Sequence, residues 1–213
     1  MAGTITALAV QKRNKQRVNV YLDGEFAFGL ALMEAARLHK GQHLSDAEIE
    51  ALKTRDIPAK AYERALRFLS FRPRSASEVQ RNLRDHAVPP WAIDETLERL
   101  ERAGLVNDAE FARFWIDNRQ QFRPRSPRAL RYELRHKGVA DAVIDEALAG
   151  VDAEELALRA ARHRLRRLHG ADPETIRRKL SNYLARQGFA YPLIRDVVDR
   201  LIADWEPEEA DSA

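Results

Sequence analysis

The chain has 213 residues, 45% hydrophobic and 32% charged, with a formal net charge of +3 and no cysteine. That length builds one or two domains with a real core. The composition excludes disulfides and thiol catalysis, and with no apolar run of about 18 residues it excludes a transmembrane helix.

Met1-Ala2-Gly3-Thr4-Ile5 shows no basic region followed by an apolar stretch, so no secretion signal is expected and a cytoplasmic protein is. Thr4–Val10 reads as a strand and Gln11–Gln16 as a polar, basic turn. Val18, Val20 and Leu22 alternate with polar neighbours, the period of a half-buried strand. Asp23-Gly24 is a hairpin turn, and Glu25–Leu30 returns. The expected result is a small three-stranded antiparallel sheet, which needs a packing partner. A short helix over Leu32–Leu38 is ended by Lys40-Gly41, and Ser45 with Glu48 forms a capping box for the next.

Beyond Ile57-Pro58 the chain repeats itself. Phe71-Arg72-Pro73-Arg74-Ser75 returns 51 positions later as Phe122-Arg123-Pro124-Arg125-Ser126, and the match runs on without a gap through Leu83/Leu134, Val88/Val139 and Ile93/Ile144. A third copy aligns Leu184, Gly188 and Ile194 with Leu134, Gly138 and Ile144. It has four extra residues between Asp172, which matches Ser126, and Gly188; four residues are about one helical turn, so its middle helix is expected to be longer.

Each copy reads as three helices. In the first, Ala61, Ala65, Leu66 and Leu69 form an apolar stripe, Ser75 and Glu78 a second capping box, and Val79 and Leu83 face the core. Pro89-Pro90 opens its last helix, carrying Ile93, Leu97 and Leu100, and Gly104 stops it. In the second, Asp108 starts the first helix, Ser126-Pro127 caps the middle one, and Asp141 caps the last. In the third, Leu158, Ala161, Leu165 and Leu168 mark the first helix, Asp172-Pro173 repeats the cap, and Tyr191-Pro192 opens the helix of Ile194, Val198 and Leu201. The expected architecture is mainly α: tandem three-helix, helix-turn-helix-like repeats in an elongated curved array, with a small N-terminal antiparallel β-sheet region. The segments are 1–56, 57–106, 107–151, 152–206 and an acidic tail, 207–213, rich in Glu208, Glu209 and Asp211.

Charge is segregated. Arg113 to Lys137 holds eight basic residues against Asp117 and Glu133, and Arg159 to Arg186 nine against Asp172 and Glu174. Arg72, Arg74, Arg123 and Arg125 flank the capping serines, where helix N–H groups favour an anion; turn chemistry alone equally explains such loops, with Phe packing and Pro stiffening. Arg128, Arg131 and Arg135 line one face of a middle helix, with Lys137 after them; Leu130 and Leu134 face the other way. Arg159, Arg162 and Arg166 form a second stripe with Arg167 beside it, and Arg177, Arg178 and Lys179 cluster at the next helix start. Such stripes suit a phosphate backbone or an acidic protein groove, or are simply solvated faces. His39 with His43, and His163 with His169, lack metal-site companions, no phosphate-binding Gly-rich loop is present, and no catalytic constellation stands out; neither enzyme activity nor a cofactor is expected. Trp115, near Phe111 and Phe114, reads as core; Trp91, at a helix start, packs or stacks on a base.

The run Ala65-Leu66-Arg67-Phe68-Leu69-Ser70-Phe71-Arg72-Pro73-Arg74-Ser75, then Leu100-Glu101-Arg102-Ala103-Gly104-Leu105-Val106-Asn107-Asp108, Phe111-Ala112 and Glu133-Leu134-Arg135-His136-Lys137-Gly138-Val139, resembles the RecX family, regulators of the RecA recombinase. The resemblance spans about Ala61 to Leu201, and Gln11 through Phe26 resembles the strand-rich extension of longer members. It implies tandem three-helix modules and a monomer that binds the RecA–single-stranded DNA filament and limits its growth, ATPase and strand exchange, with direct contact to DNA and weaker contact to duplex. The contacts are then Arg72, Arg74, Arg123, Arg125, Arg128, Arg131, Arg135 and Lys137, extended by Arg162, Arg166, Arg167, Arg177 and Arg178. An alternative from the residues alone is a helix-turn-helix-like transcriptional regulator acting on duplex DNA, which would show strong site preference; another is a purely structural helical scaffold, indifferent to reversal of its arginine stripes.

Overall fold

The computed structural model describes residues 2–168 and 170–204. His169, Trp205 and the expected acidic tail lie outside them. The chain divides into two compact units, Met1–Arg74 with Glu78–Val106, and Ser75–Ser77 with Asn107–Ala213.

The first unit opens with an antiparallel sheet of β1 (Gly3–Val10), β2 (Arg17–Leu22), β3 (Glu25–Ala31) and β4 (His43–Leu44), ordered β3-β2-β1-β4. The sheet has four strands rather than the expected three. β4 is only two residues long, pairing Leu44 with Gly3 and His43 with Thr4, and so carries no readable period. Asp23 and Gly24 both take positive φ (49° and 93°), as a two-residue hairpin turn requires. Ile5, Val18, Val20, Leu22, Phe28 and Leu30 form the inner face. It is covered by Ala35 of α1 (Leu32–Ala35), by Leu44, and by Ile49 and Leu52 of α2 (Asp46–Arg55). The first helix is shorter than expected: after Ala35 the chain tightens into a turn, with Arg37 and Leu38 bonding only three residues back. Ser45 and Glu48 form the expected capping box.

A buried ion pair pins this sheet to the next helix. Arg17 donates from both terminal nitrogens to the Asp56 carboxylate, at 3.1 and 2.8 Å, and to the Gly29 carbonyl at 3.0 Å. Asp56, fully buried, also accepts from Ala31 N–H at 2.8 Å, and Lys60 Nζ lies at 3.1 Å.

Three helices follow in this unit, α3 (Ile57–Leu69), α4 (Ala76–Asp85) and α5 (Pro90–Arg102). Ala61, Ala65, Val79, Leu83, Ala92, Ile93 and Leu100 are buried. Leu66 is instead exposed, and Thr96 joins Ile93 and Leu100 inside, its hydroxyl satisfied by the Ala92 carbonyl at 2.6 Å.

The second unit contains α6 (Asp108–Phe122), α7 (Pro127–His136), α8 (Asp141–Leu148), α9 (Ala153–Leu165), α10 (Pro173–Arg186) and α11 (Tyr191–Ala203) around one core. Leu130, Leu134, Ile144, Leu180 and Leu184 are fully buried, each worth about 1.5–3 kcal/mol in transfer energy. The middle helix α10 has 14 residues against 10 in α7, the extra turn the alignment called for. Ser126 and Asp172 cap as expected, accepting from Ala129 N–H (3.1 Å) and Thr175 N–H (2.8 Å). α6 starts at Asp108 as expected, with Asn107 before it as the cap, its side-chain oxygen accepting from both Ala109 and Glu110 N–H. One expected cap, Asp141, shifts. α8 has Ala140 at its cap, leaving Asp141 free to meet an arginine.

Candidate filament and nucleic-acid interface

The loop serines are structural in a way their spacing did not disclose. Ser75 Oγ donates to the Lys137 carbonyl at 2.6 Å, and Ser126 N–H donates to the Gln187 carbonyl at 3.1 Å. Lys137 and Gln187 are matching positions, the ends of α7 and α10, and each precedes a glycine with positive φ, Gly138 at 81° and Gly188 at 88°. A Cβ on Gly138 would lie 2.3 Å from Ser77 Cβ, and one on Gly188 would lie 2.8 Å from Ser126 Oγ. Both glycines therefore serve close approach as well as chain reversal. Asp108 lies beside the first of these contacts, accepting from Ala76 N–H at 2.9 Å; burial raises its carboxyl above the usual range, against that hydrogen bond.

The phenylalanines of the repeated loop do not pack as turn chemistry alone would have them. Phe71 is 78% exposed and Phe122 65%.

The flanking arginines differ between copies. Arg72 pairs with both oxygens of Glu78, at 2.9 and 3.2 Å. Arg74 lies over the Phe68 ring, 4.0 Å from its centroid, with its buried Nε lacking a hydrogen-bond partner. Burial, then repulsion from Arg72, holds its guanidinium below the ordinary arginine value, with Glu78 opposing. The matching Arg125 instead sits 3.6 Å from Glu133 and donates to the Arg186 carbonyl at 3.4 Å. Glu133 also accepts from Trp115 Nε1 and Arg119 Nε, both at 2.8 Å. Fifty-one positions earlier, Asn82 replaces Glu133 and Phe68 replaces Arg119. One acid-to-amide change thus removes the carboxylate hub and leaves Arg74 on a ring. Glu133 was visible in the sequence as one of two acids in a basic stretch, but its role was not.

The α7 stripe is mostly occupied. Arg131 pairs with Asp145 and Arg135 with Asp141 (2.5 Å), both on α8. The hydrogen bond between them holds the Arg135 guanidinium above its ordinary value and Asp141 below its own. Arg177, at the matching place on α10, pairs with Asp199 of α11. Lys137 has its ammonium 5.0 Å from the Trp115 ring centroid. Arg159 is held by Glu155 at 2.9 Å.

Among the described residues, Arg123, Arg128, Arg162, Arg166, Arg167 and Arg178 are exposed and have no carboxylate within ion-pair distance. Arg162 and Arg166 line a shallow groove of about 380 Å³ along α9 with Glu155, Leu158, Arg159 and His163. Among its described residues the second unit therefore carries a set of guanidinium groups without a carboxylate partner, suited to phosphate oxygens or to surface carboxylates. The α9 end also holds Arg164, with a buried Nε lacking a partner and its guanidinium 5.8 Å from the Tyr183 ring.

Comparison with known proteins places this scaffold. Residues 3–45 match the regulatory protein RecX N-terminal domain, and 61–100, 107–148 and 152–198 match the first, second and third three-helix domains of RecX. The regulatory protein RecX of Bacillus subtilis (strain 168) is 31% identical over 210 residues, covering 96% of this chain and 79% of that protein. This chain belongs to the RecX family. Its RecX relative from Lactobacillus delbrueckii subsp. bulgaricus is 34% identical over 97% of the chain and 78% of that protein. A crystal structure of regulatory protein RecX superposes with a TM-score of 0.67 at 30% identity, covering 92% of this chain and 99% of that one. RecX from Lactobacillus salivarius, at 24% identity and a TM-score of 0.58 over 68% of this chain and 97% of its own, shares the fold. The RecX modules are thus the three-helix repeats, and RecX membership makes the chain a regulatory protein. None of its described helices is long and apolar enough to cross a membrane.

Proposed function

We propose that this chain regulates a RecA-type recombinase by binding its filament on single-stranded DNA, limiting filament extension, ATPase and strand exchange without chemistry of its own. The observation that carries the reading is the set of uncompensated cations on the second unit: Arg123, Arg128, Arg162, Arg166, Arg167 and Arg178. A polymer that repeats its acidic surface and phosphates rewards many weak contacts on one chain, because each contact after the first is intramolecular. Membership in a family of regulatory proteins supports the same reading. Arg131 and Arg135 are already paired with Asp145 and Asp141, so a partner gains less from them than from the six cations above, and they form a reserve of contacts rather than the primary set.

A duplex-reading transcriptional regulator needs free side chains on the middle helix to reach base edges. Two of the three α7 arginines are engaged by α8, which favours the filament reading. The test is binding to RecA filaments on single-stranded DNA beside naked single-stranded and duplex DNA, at low and physiological salt, with filament ATPase followed in parallel. Preferential filament binding with suppressed ATPase is expected. Equal binding to all three with the ATPase untouched would leave a general basic DNA-binding module.

A further inference from the structure

The N-terminal sheet has an outward face, on which the contacts above use only Arg17 and Gly29. The turn between β1 and β2 presents Lys12, Arg13 and Lys15, all exposed and, among the described residues, without a carboxylate partner. No acidic residue occurs anywhere from Ala2 to Leu22. The turn is held in shape: Gln11 N–H bonds the Arg17 carbonyl at 2.9 Å, Arg17 N–H the Asn14 carbonyl at 3.2 Å, and Gln16 N–H the Asn14 side chain at 3.0 Å. The one other cation of the run, Arg17, is buried on Asp56 and unavailable.

With Val18, Val20 and Leu22 turned inward, Asn19 and Tyr21 point outward from β2. Phe26 of β3, 59% exposed, meets the Tyr21 ring edge to face, centroids 6.0 Å apart and planes at 76°. Between this aromatic pair and the basic turn lies an amide pair, Gln11 Nε2 to Asn19 Oδ1 at 2.7 Å. Rings, amides and cations thus follow one another along a single ribbon, over on the order of 20 Å at the rise of a strand. Asp56, behind Gly29, is fully buried and neutralised by Arg17, and the exposed acids of the ribbon stand at its far end: Asp23, which accepts from Thr4 N–H at 3.0 Å, and Glu25. A polyanion is therefore drawn toward the Lys12–Lys15 turn.

We propose that this face binds single-stranded nucleic acid, with Phe26 and Tyr21 stacking one or two unpaired bases and Lys12, Arg13 and Lys15 holding the adjoining phosphates. A single strand is the fitting partner because its bases offer free faces to a ring, whereas duplex bases are already stacked. The site goes beyond the filament reading and is tested without a recombinase.

The experiment measures anisotropy of labelled dT and rU oligonucleotides and of a hairpin duplex with the full chain across a salt series. The variants are Phe26→Ala, Phe26→Trp and the triple Lys12→Gln/Arg13→Gln/Lys15→Gln. Phe26→Ala is expected to weaken single-strand binding about 5- to 100-fold, the loss of one stacked base, with duplex binding unchanged. Phe26→Trp, which keeps a ring, restores it. The triple variant lowers the slope of log affinity against log salt by about 2, close to 0.7 for each lost phosphate contact. Equal weakening on dT and rU marks the shared base-and-phosphate chemistry, and a loss on one alone assigns the site to that polymer. Absence of single-strand binding by the parent chain, unchanged affinity in Phe26→Ala and the triple variant, or equal losses on duplex would each overturn the proposal.

Discussion

Ala87 adopts φ 56°, left-handed backbone that costs a side-chain-bearing residue about 1–2 kcal/mol. It stands where Gly138 stands one repeat later, and the two turns close alike: Val88 N–H reaches the Leu83 carbonyl at 3.1 Å, and Val139 N–H the Leu134 carbonyl at 3.1 Å. Ala87→Gly is therefore expected to stabilise the chain by about 0.5–1 kcal/mol, part of the relief being offset by the freer unfolded glycine. Gly138→Ala, strained in φ and driven into Ser77, is expected to destabilise it by about 2 kcal/mol or more. Urea midpoints of the two variants should move in opposite directions; a shared direction would refute the equivalence of the two sites. The repeat alignment already paired these positions, so the glycine was legible. What stood against it, Ser77, was not, because that contact joins residues 61 positions apart.

At the scale of elements, the sheet and α3 are joined through Asp56, which satisfies Arg17 and the Ala31 N–H at once. Removing one partner of a buried pair leaves the other uncompensated, typically at about 3–5 kcal/mol. Asp56→Ala should lower the thermal midpoint sharply, and Arg17→Met with Asp56→Leu should recover much of the loss. A single-residue loss within about 0.5 kcal/mol would show that the pair is not what fixes the sheet to the helix. Periodicity identified β1, β2, β3 and the helices, since each turns one side to the core of its own unit. It missed β4, two residues long, and it extended the helix at Leu32 by three residues because Leu38 keeps the apolar spacing while its N–H bonds three residues back rather than four. Charge partners were the least legible. Arg131–Asp145 and Arg177–Asp199 span 14 and 22 residues and depend on which helices pack, not on spacing along one helix.

For the whole molecule, a net charge of +3 understates what a partner meets, because the arginines fall into compensated and uncompensated groups. Replacing Arg162, Arg166 and Arg167 by Gln is expected to lower the salt slope of filament binding by about 2. Replacing Arg131 and Arg135 should change it by less than about 1, since their aspartates already neutralise them. Equal slopes for the two sets would show that internal pairing does not decide which arginines bind. The loop serines carry one more consequence. Ser75 and Ser126 are buried against the helix end of the copy that follows, whereas Asp172, their counterpart in the third copy, is exposed and follows Gly170-Ala171 in place of Pro-Arg. Such a joint is directional, with unlike halves, and unlike halves can be extended without limit. Here the last copy has kept the socket and lost the plug. Restoring a Pro-Arg-Ser loop at 170–172 is where a designer would begin to give the third copy the same joint as the first two.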